Sequence, residues 1–471
     1  MFISYIYWLV ISKIAGSSSI VGEASTVIGI SSVLSTFYLL GLPRGVQRFL
    51  GMYSSDKETF SEYFWTGLTL ISFLGLLVSS IVYLLGRTYS YSLPVLAKEN
   101  ILFLISLLTL LTGLKTYIIS YFISKVKTEY NTLISLFSGI VKLIIGITLV
   151  YLGYKLTGAI LGYVFFYILL LILSAYYMKE DLTGFKSLRR NVMLEEIKAG
   201  VASYIPSLLS SMGGWLGVIF VYGIVSSESA GAYYIAYNLA MMILMIPSFI
   251  SNVAYPLLSG SKDDRERDTL RLIKLNYAIS SPLMVTLILY SKSILGIMGK
   301  EFAEASWEAS LLSLNTPLVA VTTAIVSLAY SYGLYLNVLL INTLTNATRT
   351  FLYLPFVNYL GSIGAALSFN IGSLLGFITS LIVARKMNLK FKWKMLGLLL
   401  LVPLIIGIPL YMTKIPFIMG SLLLVTISFI TYGRLGIVSK SEAREIFVNI
   451  APKRLFNNKL TNLMADIVFG G

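Results

Sequence analysis

The sequence predicts an all-α polytopic membrane protein with about fourteen transmembrane helices, arranged as two repeated six-helix halves followed by two further spans. Three observations predict it. The 471 residues are 57% hydrophobic and only 12% charged, too little charge to cover the surface of a soluble protein of this size. Apolar runs near the ~20-residue length of a membrane-spanning helix recur from one end of the chain to the other. The two halves also repeat each other's pattern of small residues.

Taken in order, the apolar runs fall near 2–15, 22–42, 63–86, 101–123, 131–152 and 156–178. A polar stretch, "KEDLTGFKSLRRNVMLEEIK", separates these from runs near 199–225, 231–257, 272–297, 309–331, 335–357 and 362–384. Two more, near 395–412 and 416–432, precede a polar tail. The first run rises only about 22 Å, against a hydrocarbon core of about 30 Å. It has no basic leader and a second span follows at once, which argues against a cleaved signal peptide. It reads as a helix that begins within the membrane or further upstream.

The repeat is visible in short motifs. "AGSSSIVGEASTVIGISSV" joins the first and second runs, as "SSESAGAYYIAYNLAMM" joins the seventh and eighth. Aligning Gly22 with Gly231 also aligns Gly51 with Gly260. The expected organisation is an N-lobe at 1–178, a linker at 179–198, a C-lobe at 199–386, two extra spans within 387–433, and a tail at 434–471. In the tail, Leu460, Leu463, Met464 and Ile467 follow helical spacing, the pattern of an amphipathic segment on a membrane surface.

Composition also excludes chemistry. The chain has no cysteine and no histidine. Thiol catalysis and cysteine-ligated metal are therefore impossible, and the commonest metal ligand and general base are missing. No catalytic residue, metal or cofactor is expected. The net charge of +15 follows the positive-inside rule. With the N-terminus cytoplasmic, 26 of the 36 basic residues fall in cytoplasmic segments, seven outside and three within spans. That bias explains the charge without a nucleic-acid partner. It places both termini in the cytoplasm of a cell-membrane protein, expected to work as a monomer.

The opening "YWLVISKIAGSSSIVGEASTVIGISSVLSTFYLLGLPRGVQRFLG" resembles the start of polysaccharide-export flippases of the multidrug/oligosaccharidyl-lipid/polysaccharide (MOP, MATE-like) exporter superfamily. Those open with a helix, a short glycine-bounded loop (here Gly16 to Gly22), a second helix and an ending like "GLPRGVQR". "GSIGAALS" in the twelfth run resembles their "GxxGAAxA" element. The resemblance covers nearly the whole chain. It implies two six-helix bundles facing each other across a central cavity, with alternating access. The implied cargo is a lipid carrier joined to a sugar chain through a phosphate or pyrophosphate.

The residues converge on the same expectation. The charges well inside spans are Lys115, Lys142 and Arg349. Lys142 lies about 17 Å and Lys115 about 15 Å along their helices from the cytoplasmic end, too deep to snorkel easily to that surface. Asn131, Ser135, Ser138 and Lys142 form one polar stripe at spacings of 4, 3 and 4, and Asn342, Asn346, Arg349 and Tyr353 form another. A shift of 207 residues superposes Lys142 on Arg349, Ser135 on Asn342 and Ser138 on Thr345. Thr112, Thr116 and Ser120 lie close to Lys115. Three cations facing a cavity would suit a lipid-linked phosphate, lysine as a point charge and arginine as a bidentate fork. They could instead bond backbone carbonyls or water, or, for Arg349 in particular, reach the outer interface. Arg44 and Arg48 either guide a headgroup or anchor orientation. Tyr233, Tyr234, Tyr237 and Asn238 form either a sugar-binding wall or ordinary packing.

The expected function is translocation of a lipid-linked oligosaccharide across the cell membrane, without covalent chemistry. The partners are that cargo and membrane lipids. A MATE-type multidrug cation antiporter needs intramembrane carboxylates, and the spans hold none beyond the marginal Glu23. A membrane glycosyltransferase needs a catalytic acid on a large outer loop, whereas Glu301, Glu304 and Glu308 are spaced as an exposed helix end. A non-enzymatic lipid scramblase is the remaining alternative.

Overall fold

The computed structural model describes residues 2–88, 99–186, 188–260 and 265–437. The amphipathic tail expected at 434–471, with Leu460, Leu463, Met464 and Ile467, lies outside the described residues beyond position 437. Among the described residues the protein is helical throughout. The helices are α1 (Phe2–Ala15), α2 (Ser19–Leu39), α3 (Leu42–Met52), α4 (Lys57–Thr88), α5 (Glu99–Ser124), α6 (Thr128–Leu149), α7 (Lys155–Met178) and α8 (Arg190–Ile224). They continue as α9 (Ser227–Gly260), α10 (Arg265–Gly296), α11 (Lys300–Ala303), α12 (Ser306–Ser313), α13 (Thr316–Ser331), α14 (Tyr335–Lys386), α15 (Trp393–Met412) and α16 (Phe417–Arg434).

Eleven of the described helices are long and apolar enough to cross a membrane, fewer than the fourteen spans expected. Two continuous runs, Thr128–Met178 and Tyr335–Lys386, each cover two of the expected spans. Each run turns at a glycine, Gly153 (φ 93°, followed by Lys155 at φ 39°) and Gly361 (φ 60°), with no intervening loop. Only a residue without a Cβ takes such angles freely. The first helix, at 14 residues, is too short to be counted among the eleven.

By contacts the chain forms two compact units, one of Met1–Ile235 with Asn346–Ser368, the other of Ala236–Thr345 with Phe369–Gly471. In the first unit, Tyr38, Leu42, Phe60, Phe64, Tyr117 and Phe122 are at the heart of the core. Buried tyrosines there spend their hydroxyls on backbone carbonyls: Tyr38 donates to Thr109 O at 2.9 Å, and Tyr117 to Phe64 O at 2.7 Å. In a membrane this satisfies a polar group that has no water to bind. Lipid-length apolar side chains such as Leu133, Phe137, Ile140 and Ile144 line the opposite, exposed face of α6.

Glycines bring α2 and α3 into backbone contact with α8 and α9. A Cβ on Gly22 would lie 1.8 Å from Ser227 O, and one on Gly231 2.1 Å from Ser18 O. Some 20 residues along, a Cβ on Gly200 would lie 2.5 Å from Gly41 O, and one on Gly45 2.3 Å from Glu196 O. Backbone thus lies against backbone both where α2 meets α9 and where α3 meets α8.

The second unit packs Leu272, Ile273, Tyr277, Val321, Ile325 and Leu328 around buried amides. Asn276 Nδ2 donates to Ser251 Oγ at 3.2 Å and Ala320 O at 3.3 Å, and Asn370 Nδ2 to Leu311 O at 2.8 Å. Such bonds hold neighbouring helices where apolar association supplies little.

Between α7 and α8, Asp181 accepts from the Tyr121 hydroxyl and from Lys127 Nζ at 2.9 Å. Partial burial pushes its carboxyl up, but the Tyr121 and Lys127 bonds and the Lys125 charge outweigh this and hold it below the usual range. A depressed folded-state value means the stabilisation is present above the unfolded carboxylate range and is lost as pH falls through the folded one. Asp181→Asn should therefore cost about 1 kcal/mol at neutral pH, with solvent screening included. The difference from the parent should vanish in acid, measured by thermal unfolding in detergent across pH 3–7.

Candidate substrate cleft and buried cations

The sequence reading places Arg44 and Arg48 at the end of the second span. In the structure α2 stops at Leu40 (φ 49°) and Gly41 (φ 74°), and a separate helix begins with Pro43 in its first turn. This short α3 buries Leu42, Gly45, Val46 and Leu50 and exposes Arg44 and Arg48. Arg44 Nη1 donates to Gln47 Oε1 at 3.1 Å.

Arg44 stands at a cleft of about 310 Å³, with Ser32, Ser35, Thr36, Thr112, Thr116, Ser207 and Ser211 in its wall. Three of the hydroxyl residues come from α2, two from α5 and two from α8, at helical spacings. Several bond carbonyls: Thr36 to Ser32 O at 3.0 Å, Thr116 to Thr112 O at 2.8 Å, and Ser211 to Ser32 O at 3.3 Å. A hydroxyl whose proton is committed in this way still offers acceptor lone pairs. The wall is therefore suited to a ligand rich in O–H donors, with one guanidinium at hand for an anion. The sequence reading singled out Arg44, Thr112 and Thr116 but missed the serines. Their spacing, "SSVLST" on α2 and Ser207 to Ser211 on α8, was the available signal.

Lys142 is 3% exposed. Its ammonium lies 3.0 Å from Ser4 Oγ and faces three rings, Tyr163 at 4.3 Å, Tyr7 at 5.0 Å and Phe166 at 5.6 Å. A desolvated cation over an aromatic face gains about 2 kcal/mol per good contact, which offsets much of the cost of burial. The stripe that contains it turns inward along α6: Ser135 is half-buried and Ser138 fully buried. Against that face, α1 places Ile3 beside Gly139 and Tyr7 beside Gly146. Lys115, half-buried, lies 5.8 Å from the Tyr167 ring. Tyr163, Phe166 and Tyr167 of "GYVFFY" thus place both lysines against α7. The cage was not foreseen from sequence, because Ser4 and Tyr7 come from a helix far away in the chain.

Arg349 sits elsewhere, on α14, with its Nη1 donating to Asn346 Oδ1 at 3.4 Å. This part of α14 packs on α8, where Tyr353 donates to Gly213 O at 2.7 Å and Asn346 lies against Gly213. Asn342 is exposed. Of the tyrosines proposed for sugar contact, Tyr233 is buried against Gly217. Tyr237 and Asn238 are half-buried, and Tyr237 meets Phe369 edge-on at 5.7 Å.

Two carboxylates depart from expectation. Glu196, read as part of a polar linker, is 0% exposed. The helix starts at Arg190 rather than near 199, and this carries Glu196 under Gly67, whose Cβ would lie 3.0 Å from Glu196 Oε2. Glu308 is also buried, on the inner face of α12.

This helical bundle, with its hydroxyl-walled cleft and buried cations, shares its fold with several solved structures. The fold matches the lipid II flippase MurJ in an inward closed conformation at TM-score 0.71, covering 91% of this chain and 99% of that one at 16% identity. It matches an inward-facing multidrug resistance MATE family transporter of the MOP superfamily at TM-score 0.60, with 81% and 93% covered at 13% identity. The eukaryotic MATE transporter AtDTX14 matches at TM-score 0.55, with 84% and 96% covered at 16% identity. A sequence search of curated proteins finds no match. The chain belongs to the polysaccharide biosynthesis protein family, whose profile matches residues 2–262.

Proposed function

We propose that the protein is a flippase that carries a lipid-linked oligosaccharide, joined through phosphate or pyrophosphate, from the cytoplasmic to the outer leaflet of the cell membrane. The observation that supports this reading most is the cleft that pairs Arg44 with seven serine and threonine hydroxyls. A sugar chain supplies O–H donors for the wall, and its phosphate supplies an anion for the guanidinium. Lys115, Lys142 and Arg349 are proposed to add positive potential along the route, and Tyr237 and Asn238 to touch the sugar. The lipid tail stays in the bilayer.

Alternating access is proposed to come from rocking of residues 1–178 against 199–386. Fourteen membrane crossings follow if each glycine-broken run counts as two and α1 as one. The excess of lysine and arginine in one set of connections supports a cytoplasmic side for both termini.

The test is translocation in reconstituted vesicles containing the purified protein. Lipid-linked oligosaccharide should become accessible to an outside enzyme, and Arg44→Gln should lower the rate about tenfold, the usual loss for one charge-assisted contact. The chain lacks cysteine, so single cysteines placed in 179–198 and 299–309 report sidedness without background. Export of cationic dyes with no movement of the lipid-linked sugar would favour a MATE-type antiporter and overturn the proposal.

A further inference from the structure

One fully buried carboxyl has no part in the proposed transport route. Glu196, on the second turn of α8, is 0% exposed. Among the described residues, neither of its carboxyl oxygens has a hydrogen-bond partner. The backbone that carries it is seated on α3: Glu196 O lies against Gly45, and Gly200, one turn on, against Gly41. Its side chain reaches Gly67 of α4 and Tyr117 of α5. A Cβ on Gly67 would lie 3.0 Å from Glu196 Oε2 and 2.6 Å from the Tyr117 hydroxyl, so carboxyl and hydroxyl are neighbours.

The titratable and charged groups around it are engaged elsewhere or exposed. From α4, Glu62 pairs with Arg189 at 3.0 Å, the Tyr63 hydroxyl donates to Glu195, and Lys57 and Glu58 are exposed. From α5, the Tyr117 hydroxyl is spent on Phe64 O, Tyr121 and Lys127 bond Asp181, and Lys125 bonds Ser54 O. Lys115 turns to the Tyr167 ring. From α3, Arg44 holds Gln47 and Arg48 lies near the Phe49 ring, both exposed. From α2, the Tyr38 hydroxyl bonds Thr109 O. On α8 itself, Arg190, Glu195 and Lys198 are exposed. A carboxylate at Glu196 would be a charge with neither water nor partner, a state that folded proteins avoid. The neutral acid carries no such charge.

We propose that Glu196 is a proton-binding site that couples closure of the α3–α8 contact to pH. With α8 seated, the carboxyl is enclosed and holds a proton. When α8 withdraws, the side chain leaves Gly67 and Tyr117, meets water and passes the proton to it, leaving a carboxylate and a hydronium ion. Seating reverses the exchange. Acid therefore favours the closed contact and base the open one, the sign for a site that binds more protons when closed. By the sidedness proposed above, the proton comes from the cytoplasm and returns to it. The inference rests on the proposed rocking, which parts α8 from α3, and not on the nature of the cargo.

The experiment uses the full chain in lipid nanodiscs, with spin labels at Met52→Cys on α3 and Ala202→Cys on α8. Both positions are exposed and uncharged, and the chain has no other cysteine. Interspin distances report the closed and open populations. From about pH 8 to about pH 7 the closed-to-open ratio should rise about tenfold, the change for one linked proton. Glu196→Gln imitates the neutral acid and should stay closed at both values. Infrared difference spectra over the same step should show a protonated carboxyl band in the parent that Glu196→Gln lacks. If Glu196→Gln fails to fold, Gly200→Ala carries the comparison, since it parts the same helices and keeps the carboxyl. It should need about one pH unit more acid to reach the parent's ratio. A ratio in the parent that does not change with pH would overturn the proposal. So would an equal pH dependence in Glu196→Gln, or survival of the carboxyl band there, either of which would assign the proton to another group. With Gly200→Ala as the only variant, a ratio identical to the parent's at every pH would do the same.

Discussion

Lys142→Met should raise the melting temperature by about 2 °C and lower oligosaccharide translocation about a hundredfold. The two effects have opposite signs because they draw on different parts of one environment. The ammonium is 3% exposed, with one hydroxyl, on Ser4, and three ring faces around it. Taking a charge out of water costs several kcal/mol, and a methionine of similar volume in the same aromatic cage avoids that cost while keeping the contacts. A residue retained against stability has another use, and for this one the proposed use is attraction of the cargo's phosphate. Transport in vesicles and thermal unfolding in detergent should be measured on the same preparation. Unchanged transport in a stabilised Lys142→Met protein would reduce Lys142 to packing. Arg349→Gln should follow Lys142 in transport but not in stability, since Arg349 is only half-buried.

The second large effect is expected at the glycine contacts. Gly200 and Gly231 both lie inside helices, so alanine suits their backbone, and only the added methyl matters. At Gly200 it would meet Gly41 O at 2.5 Å, and at Gly231 it would meet Ser18 O at 2.1 Å. Carbonyls cannot give way as a flexible side chain would, so the helices must part, at a cost of about 1–3 kcal/mol for the contact. Gly200→Ala should separate α8 from Gly41 and open the Arg44 end of the cleft. Modification of Ser211→Cys should then speed up about tenfold, as expected when about 1.4 kcal/mol of closure is lost. Gly231→Ala acts at the other end of the pair and should leave that rate within about twofold. Both should reduce translocation at least about tenfold, because the proposed cycle needs each end to close. Slower modification in Gly200→Ala than in the parent would refute the role given to this contact.

Much of the fold could be read in the sequence, because apolar length and glycine pattern are local. Gly153 and Gly361 fall at the expected boundaries between spans, although each forms a hinge where a loop was expected. Boundaries set by tertiary contact were not legible. The residues before 199 look like a charged linker, yet α8 starts at Arg190 because Gly200 and Glu196 seat on α3. The cleft shows the same limit. Ser32 with Thr36, Thr112 with Thr116, and Ser207 with Ser211 are each evident as pairs, but their convergence depends on how α2, α5 and α8 pack. For Lys142 the ring spacing on α7 was visible, whereas the arrival of Ser4 and Tyr7 from α1 was not.

The contact between Gly22 and Gly231 has a history built into it. Gly22 meets Ser227 and Gly231 meets Ser18, and the same offset in the chain relates Gly22 to Gly231 and Ser18 to Ser227. Such a reciprocal contact is isologous, the kind two identical subunits make across a dyad. If each half holds six spans, an even number, two copies of a half-length ancestor would have entered the membrane in the same direction and could have paired around that dyad. On this view Gly22 and Gly231 descend from one position, and any bulk placed there in the ancestor would have clashed with its own copy.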